Sequence, residues 1–239
     1  MFLSLLHVNL GGDPDRDQPG RRWLRDVYNV HQRLWMAFPD AERRLEDPFF
    51  LGAWDGPATP EPKRREAGFL FRIERDGSPR ILVQSAKRPD WEYAFQNAAH
   101  LLAAPPETKT VEPRFEPGQH LRFRLLANPT KRLRKDSCHS PGQAVDEKWV
   151  GKRVAVKSDG LENWLSRRAQ RAGFHVTQLA GIQPGYVYVN KGEALRYRSA
   201  QYEGILEITD PDHFGDTLIR GIGPGKSFGF GLLSVAPVR

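Results

Sequence analysis

A tyrosine and a histidine stand three positions apart in YNVHQRLWMAF, residues 28–38. If this stretch is helical, Tyr28 and His31 share one face, because residues three apart are neighbours on a helix. An imidazole titrates near neutral pH and can transfer a proton, and a tyrosine hydroxyl can hydrogen-bond a charged oxygen beside it. His31 also falls within an apolar stripe between Val27 and Trp35, so the pattern alone favours a buried core histidine with a satisfied hydrogen bond.

A glycine-rich stretch, GIGPGKSFGFG at residues 221–231, also has the composition of a binding loop. It is not a P-loop, because the motif requires glycine at position 220, where this chain has Arg220. A dinucleotide fingerprint would place its last glycine on Lys226 or Phe228, so that motif fails as well. Two interpretations remain open: a phosphate-binding backbone around Gly223, Gly225, Lys226 and Ser227, or a tight helix-to-strand connection without a ligand.

The distribution of charge favours a polyanionic partner. The formal net charge is +7, and residues 120–175 contain 13 Lys and Arg against 5 Asp and Glu. This segment alone therefore accounts for the excess. Long-range attraction and counterion release make such a surface suited to nucleic acid.

The elements that must position these residues follow one order twice. The first half predicts a strand, a helix, a hairpin around Asp76-Gly77, a short helix and a strand, over 1–8, 23–38, 68–86, 91–102 and 108–115. The second half predicts a strand, a helix capped by Gly173, further strands, a helix that starts at Asp210 and a last strand, over 119–132, 160–174, 174–182, 185–208, 210–223 and 228–235.

Each half reads as βαββαβ, with an inserted hairpin in the second. The sequence therefore predicts an α+β protein of two tandem ferredoxin-like domains, 1–117 and 118–239. The N-terminal domain would carry Tyr28 and His31, and the C-terminal domain would carry the basic hairpin and the glycine-rich loop.

Several classes of protein are excluded or disfavoured. No apolar run approaches the roughly 18–20 residues of a membrane span, so no membrane partner is expected. Cys138 is the only cysteine, so an intrachain disulfide is excluded and the composition suits the cytoplasm. No HExxH, CxxC or paired-acid motif occurs, so we expect neither a metal nor another cofactor.

The glycine-rich stretch, together with YNVHQRLWMAF, ILVQSAKRPDW (81–91) and LRFRLLANPTKR (121–132), resembles the CasE family over nearly the whole chain. This family belongs to the repeat-associated RNA-binding superfamily of CRISPR systems. The resemblance implies a metal-independent endoribonuclease that cuts precursor transcripts beside the hairpin of CRISPR repeat RNA. It implies attack by the 2′-hydroxyl, a 2′,3′-cyclic phosphate product that stays bound, and other Cascade subunits as partners.

The same resemblance implies that Tyr28 and His31 are the catalytic pair, and it places a basic hairpin in the groove of the repeat stem. The basic residues predicted to bind RNA are Lys87, Arg88, Lys131, Arg132, Arg134, Lys135, Lys191, Arg196 and Arg198. Two other functions remain open: a non-catalytic RNA-binding subunit of the same superfamily, with His31 structural, and a DNA- or ribosome-associated basic module.

Overall fold

The computed structural model describes residues 1–12, 18–38, 68–134, 138–140, 143–144, 147–191 and 193–238. The elements of the first half are β1 (Phe2–His7), α1 (Pro19–Arg25), α2 (Val27–Trp35), β2 (Phe69–Glu74), β3 (Arg80–Ser85), α3 (Trp91–Phe95) and β4 (Glu107–Thr110). Their strands form one antiparallel sheet in the spatial order β2-β3-β1-β4.

The second half repeats this arrangement with an excursion after its first strand. Its elements are β5 (His120–Ala127), β6 (Thr130–Arg132), β7 (Cys138–Ser140), β8 (Gln143–Ala144), β9 (Arg153–Ala155), α4 (Leu161–Arg171), β10 (Phe174–Lys191), β11 (Glu193–Ile208), α5 (Pro211–Arg220) and β12 (Leu233–Pro237). The main sheet has the order β10-β11-β5-β12, while β6 pairs with β9 and β7 with β8.

Both main sheets therefore place their second, third, first and fourth strands side by side. This topology confirms the predicted α+β fold of two tandem ferredoxin-like units. The chain passes from one sheet to the other between β4 and β5, and the domain limits 1–117 and 118–239 stay a prediction. Within the described ranges, no helix has the length and hydropathy needed to span a membrane.

Each sheet buries one face beneath its helices. In β5, Leu121, Phe123 and Leu125 are buried, whereas Arg122 and Arg124 lie on the opposite face, as the alternation of the sequence predicts. Phe71 of β2 and Leu34 of α2 belong to the first core, and both are fully buried.

A buried arginine joins the two halves. Arg72 of β2 is 3 % exposed and donates hydrogen bonds to the carbonyls of Arg124 and Leu232, both at 3.2 Å. Its charge is balanced by Glu74 at 2.6 Å, and Glu74 also binds Arg124 at 2.8 Å. Burial alone would raise the pKa of Glu74, but the two arginines outweigh it and lower that pKa. The first sheet is therefore fastened to the second through a shared ion network.

The predicted helix over 23–38 is wrong in one respect. It is divided into α1 and α2 at Asp26, whose backbone is extended, with φ −117° and ψ 106°. The Asp26 carboxylate accepts a hydrogen bond from the N–H of Tyr28 at 2.9 Å and so caps α2. An aspartate within an apolar stripe thus starts a new helix just before the predicted catalytic pair.

The predicted strands 174–182 and 185–191 are one strand, β10, and together with β11 they form a long hairpin (174–208) rather than a strand plus an inserted hairpin. The residues between the two predicted ranges lie inside the ladder, where Pro184 is opposite Ala200. Register shifts after Val176 and Leu179 accommodate the length of the strand. The predicted last strand also begins too early, because Lys226–Phe228 is a 3-10 turn and β12 starts at Leu233.

Candidate RNA-cleavage site

The predicted catalytic pair lies on the first two turns of α2. Tyr28 and His31 are one turn apart and both are half-buried. Because Asp26 fixes the first turn, the direction in which Tyr28 leaves the helix is set by the cap. The pair is therefore held on a short, separately capped helix and not in the middle of a long one.

His31 packs against an aromatic wall formed by Trp35, Phe69 and Phe71. Its ring stacks on Phe69 and Phe71 with centroid distances of 5.3 and 6.1 Å, both at an interplanar angle of 23°, and lies 5.9 Å from Trp35. Among the described residues, no group hydrogen-bonds its buried Nδ1. A structural core histidine would satisfy that atom, so the packing does not match the core interpretation of the sequence.

Burial lowers the pKa of His31 to about 4. The charged imidazolium is disfavoured because the aromatic wall replaces the water that would solvate it. The imidazole is therefore neutral near pH 7, which is the protonation state that a general base requires.

The glycine-rich loop (221–231) packs on the same wall. A Cβ on Gly229 would lie 3.4 Å from Phe71, and Phe228 of the second half is partly buried and packs against the first core. The 3-10 turn Lys226–Phe228 also contacts α2 directly. The structure thus brings the loop to the helix that carries the predicted catalytic pair.

The conformation of this loop requires glycine at several positions. Gly223, Gly225 and Gly229 have φ values of 82°, 80° and 78°, which side chains rarely adopt. A Cβ on Gly225 would also lie 2.8 Å from the ring of Phe230, inside the loop. Backbone conformation and internal packing therefore require glycine at 225.

The loop nevertheless presents backbone donors. Gly221, Ile222, Phe228, Gly229 and Gly231 donate their N–H groups within the protein. Within the loop, whose residues are all described, no partner is found for the N–H groups of Gly223, Gly225, Lys226, Ser227 and Phe230. Successive free N–H groups around a left-handed residue form an anion-binding concavity.

Lys226 lies half-buried beside these donors. Burial, and after it the charge of Arg220, lowers the pKa of the Lys226 ammonium. A cation that is partly desolvated and close to another cation is stabilised by a bound anion.

The long hairpin carries a basic and aromatic face. In the register, Tyr186 is opposite Arg198 and Tyr188 is opposite Arg196, so the four side chains share one face. The Arg196 guanidinium lies 4.5 Å from the centroid of Tyr186. The N–H of Asn190, near the hairpin tip, donates to the Asp26 carboxylate at 3.3 Å and so ties the hairpin to α2.

The remaining predicted RNA-binding residues lie on several surfaces. Lys87 and Arg88 are exposed just after β3, and Lys131, Arg132 and Arg134 are exposed on β6 and beyond it. Lys135 lies outside the described residues, and only the backbone of Lys191, at the end of β10, is described.

Sequence reasoning missed four residues near α2. Asp26 joins the helix cap to the hairpin, and Arg25, Arg75 and Tyr188 line a cleft beside it. The alternation in GYVYVN could have indicated an exposed aromatic face, but only the fold brings Arg75 close to that face. Among the described residues, no group of three or more His, Cys, Asp or Glu side chains is arranged to hold a metal ion.

Comparison with known proteins identifies the family of this chain. The family described as "CRISPR associated protein" matches residues 1–237. The chain is 37 % identical to the CRISPR-associated endoribonuclease Cse3 of Thermus thermophilus, over 99 % of this chain and 100 % of that protein. It is 31 % identical to the CRISPR system Cascade subunit CasE of Escherichia coli, over 91 % of this chain and 96 % of that protein.

A solved structure agrees with these relatives. Thermus thermophilus Cse3, bound to an RNA representing a pre-cleavage complex, has a TM-score of 0.68 and 31 % identity to this chain. The alignment covers 99 % of this chain and 98 % of that one. The chain therefore belongs to the CasE family of CRISPR-associated proteins.

Proposed function

We propose that this chain is an endoribonuclease that binds the hairpin of CRISPR repeat RNA, cuts the precursor into guide RNAs and keeps the product bound. The observation that carries the proposal is the meeting of three segments: the Tyr28–His31 pair, the loop with free N–H groups, and the hairpin tied to Asp26. The relatives support this class of reaction, since Cse3 is named an endoribonuclease and has been solved with RNA.

His31 acts as the general base in this proposal. Its lowered pKa keeps the imidazole neutral, so it can accept the proton of a ribose 2′-hydroxyl. The 2′-oxygen then attacks the adjacent phosphorus, and the bond from phosphorus to the 5′-oxygen breaks. The 5′-oxygen takes a proton from water as it leaves, and the His31 imidazolium neutralises the hydroxide that remains. The cut ends are a 2′,3′-cyclic phosphate and a 5′-hydroxyl.

The glycine-rich loop stabilises the phosphate during this step. The N–H groups of Gly223, Gly225, Lys226 and Ser227 would donate to its non-bridging oxygens, and the Lys226 ammonium would balance the added negative charge. The Tyr28 hydroxyl, one turn before His31, would donate a further hydrogen bond to the reacting phosphate. This chemistry uses protein groups alone, so we propose that cleavage is metal-independent.

RNA affinity would come from the basic surfaces of both halves. Arg196 and Arg198 on the hairpin, with Lys131, Arg132 and Arg134 beyond β5, would contact the repeat stem. Lys87 and Arg88 would hold the strand that is cut. The Escherichia coli relative is named a Cascade subunit, and we extend that assembly, in the cytoplasm, to this chain.

The decisive experiment uses the cognate repeat RNA in excess EDTA. We expect complete cleavage and a 2′,3′-cyclic phosphate end. A single 2′-deoxy substitution 5′ to the scissile phosphate should abolish cleavage and leave binding within a few-fold, because it removes the nucleophile and no phosphate contact.

The control places the 2′-deoxy sugar one nucleotide further along, where cleavage should stay at the wild-type rate. Cleavage that needs added divalent metal, or normal cutting of the deoxy RNA, would exclude this mechanism. Tight binding of an RNA that is never cut would instead support a non-catalytic RNA-binding subunit.

A further inference from the structure

A cleft of about 270 Å³ lies beside the start of α2 and is not used in the proposed mechanism. We call it the hairpin cleft. Its walls come from five parts of the chain: the α1–α2 junction, the end of β2, Leu126 of β5, the hairpin strand β10 and the glycine-rich loop. Its principal lining residues are Arg25, Val27, Arg75, Tyr186, Tyr188 and Phe228.

The lining combines the groups that recognise an unpaired nucleotide. Two arginines supply positive charge, and none of the described lining residues is acidic. Tyr186 and Tyr188 are 45 % and 61 % exposed, so the rings are open to a ligand. Unpaired RNA bases stack on aromatic side chains and arginine planes, and arginine also contacts phosphate.

The dimensions favour one nucleotide and not a stem. Ligand sites usually enclose about 300–1,000 Å³, and a cleft of about 270 Å³ lies just below that range. Its apolar floor includes Val27 and Phe228, which suits the face of a base. Two contacts hold side chains at the rim of the cleft. Arg75 donates a hydrogen bond to the Leu24 carbonyl at 3.0 Å, and the Arg196 guanidinium lies 4.5 Å from the centroid of the Tyr186 ring.

The cleft also adjoins the predicted catalytic pair. Val27 of its floor is the residue before Tyr28, and Phe228 follows the loop residues whose N–H groups are free. An RNA strand with its scissile phosphate beside His31 would therefore place a neighbouring nucleotide at the cleft.

We propose that the hairpin cleft binds one unpaired nucleotide of the RNA strand next to the scissile phosphate. Its base stacks on Tyr188, and its phosphate contacts Arg25 and Arg75. This inference rests on the proposed function for the position of the strand, and it adds a subsite that selects where the strand can be cut.

The test separates stacking from cleavage. Repeat RNAs carry 2-aminopurine at each unpaired position beside the cut, one at a time, and are bound to the His31→Ala variant so that no strand is cut. We expect the emission of 2-aminopurine to be quenched on binding at one position only. Tyr188→Leu, made in the His31→Ala variant, should restore that emission. Trp149→Leu, which removes a 46 % exposed aromatic outside the cleft, is the matched control and should leave the quenching unchanged.

A second measurement uses an abasic site at the quenched position. In active protein, Tyr188→Leu should lower kcat/KM on intact RNA about 5- to 100-fold, the range for loss of one stacked base, and should have no further effect on the abasic RNA. Because Tyr188 is 61 % exposed, the variant should melt like the wild type.

The proposed subsite is overturned if 2-aminopurine emission is quenched at no position. It is also overturned if the losses in kcat/KM caused by Tyr188→Leu and by the abasic site multiply. If the quenching depends on Tyr188 but the wild-type protein never cuts the RNA, the proposed cleavage is rejected and the proposed subsite is retained.

Discussion

The two halves of this protein have the same strand order but extend it in opposite ways. In the first half the strands are four to six residues long, and the elaboration is a helix divided at Asp26. In the second half β10 and β11 run for 18 and 16 residues, and the hairpin reaches back to α2. One half divides an element beside the proposed catalytic pair, and the other lengthens an element that reaches the same helix.

The two halves also differ in their electrostatic character. His31 lies in an aromatic environment that removes its charge near neutral pH, whereas residues 120–175 hold 13 basic against 5 acidic residues. Catalysis by a neutral base needs desolvation, while RNA affinity needs accessible cations. Two copies of one fold can meet these conflicting requirements separately. We therefore expect variants in the first half to lose cleavage and variants in the second half to lose RNA affinity.

The largest effect should come from His31→Ala. We expect the cleavage rate at saturating RNA to fall roughly 10²- to 10⁴-fold, the usual cost of losing one proton-transfer group, with RNA affinity unchanged within a few-fold. His100→Ala, an exposed histidine of the same half, is the control and should cut normally. Loss of affinity in His31→Ala would contradict the separation of roles between the halves.

The pH profile identifies which proton His31 transfers. With a pKa of about 4, His31 is neutral above about pH 5, so kcat/KM for a base should be nearly constant from about pH 5 to 8. If His31 instead acted as the acid in its protonated form, the rate would fall about tenfold for each pH unit in that range.

A smaller effect on cleavage should distinguish loss of the Asp26 cap from loss of the Asp210 cap. Asp26 caps α2, and Asp210 caps α5 by accepting from the N–H of His213 at 3.0 Å. Replacing either by alanine should cost about 0.5–2 kcal/mol of stability. Only Asp26 also binds the hairpin, so only Asp26→Ala should lower cleavage at saturating RNA, by about fivefold to tenfold.

Asp26→Asn sharpens that test, because an amide oxygen can still accept both hydrogen bonds and should restore most of the rate. Equal losses of cleavage in Asp26→Ala and Asp210→Ala, with equal melting temperatures, would mean that the link between helix and hairpin has no role in catalysis.

The smallest effect belongs to Lys226→Ala. We expect RNA affinity to fall for all hairpin sequences alike, since a phosphate contact carries no base information. The slope of log K against log salt should decrease by about 0.7–0.9, as for one lost phosphate contact. Glu92→Ala, an exposed charge of the first half, should leave the slope unchanged. An unchanged slope for Lys226→Ala would remove this lysine from the phosphate site.

Much of the fold could be predicted from the sequence because its signals are local. Alternation in β5, the turn at Asp76-Gly77 and the aspartate before Pro211 each specify structure within a few residues. The division of the helix at Asp26 could not be predicted, because an apolar stripe continues across it.

The candidate site was less predictable because its contacts are distant in sequence. Tyr28, His31 and the loop were found from residue type and family resemblance, but Phe71 and Asn190 become neighbours of α2 only in the folded chain. The break predicted between residues 182 and 185 is absent for a related reason: this segment pairs with β11, which is distant in sequence.

The packing of the glycine-rich loop on Phe71 has a consequence for the order in which the protein is made. The roughly 160 residues from Phe71 to Gly231 need about 8–32 s at the ribosome, at roughly 5–20 residues per second. During that interval His31 and the aromatic wall exist without the loop that covers them. Under the proposed function, a nascent chain has the proton acceptor before it has the groups that hold the phosphate, and the site is complete only when synthesis has passed residue 231.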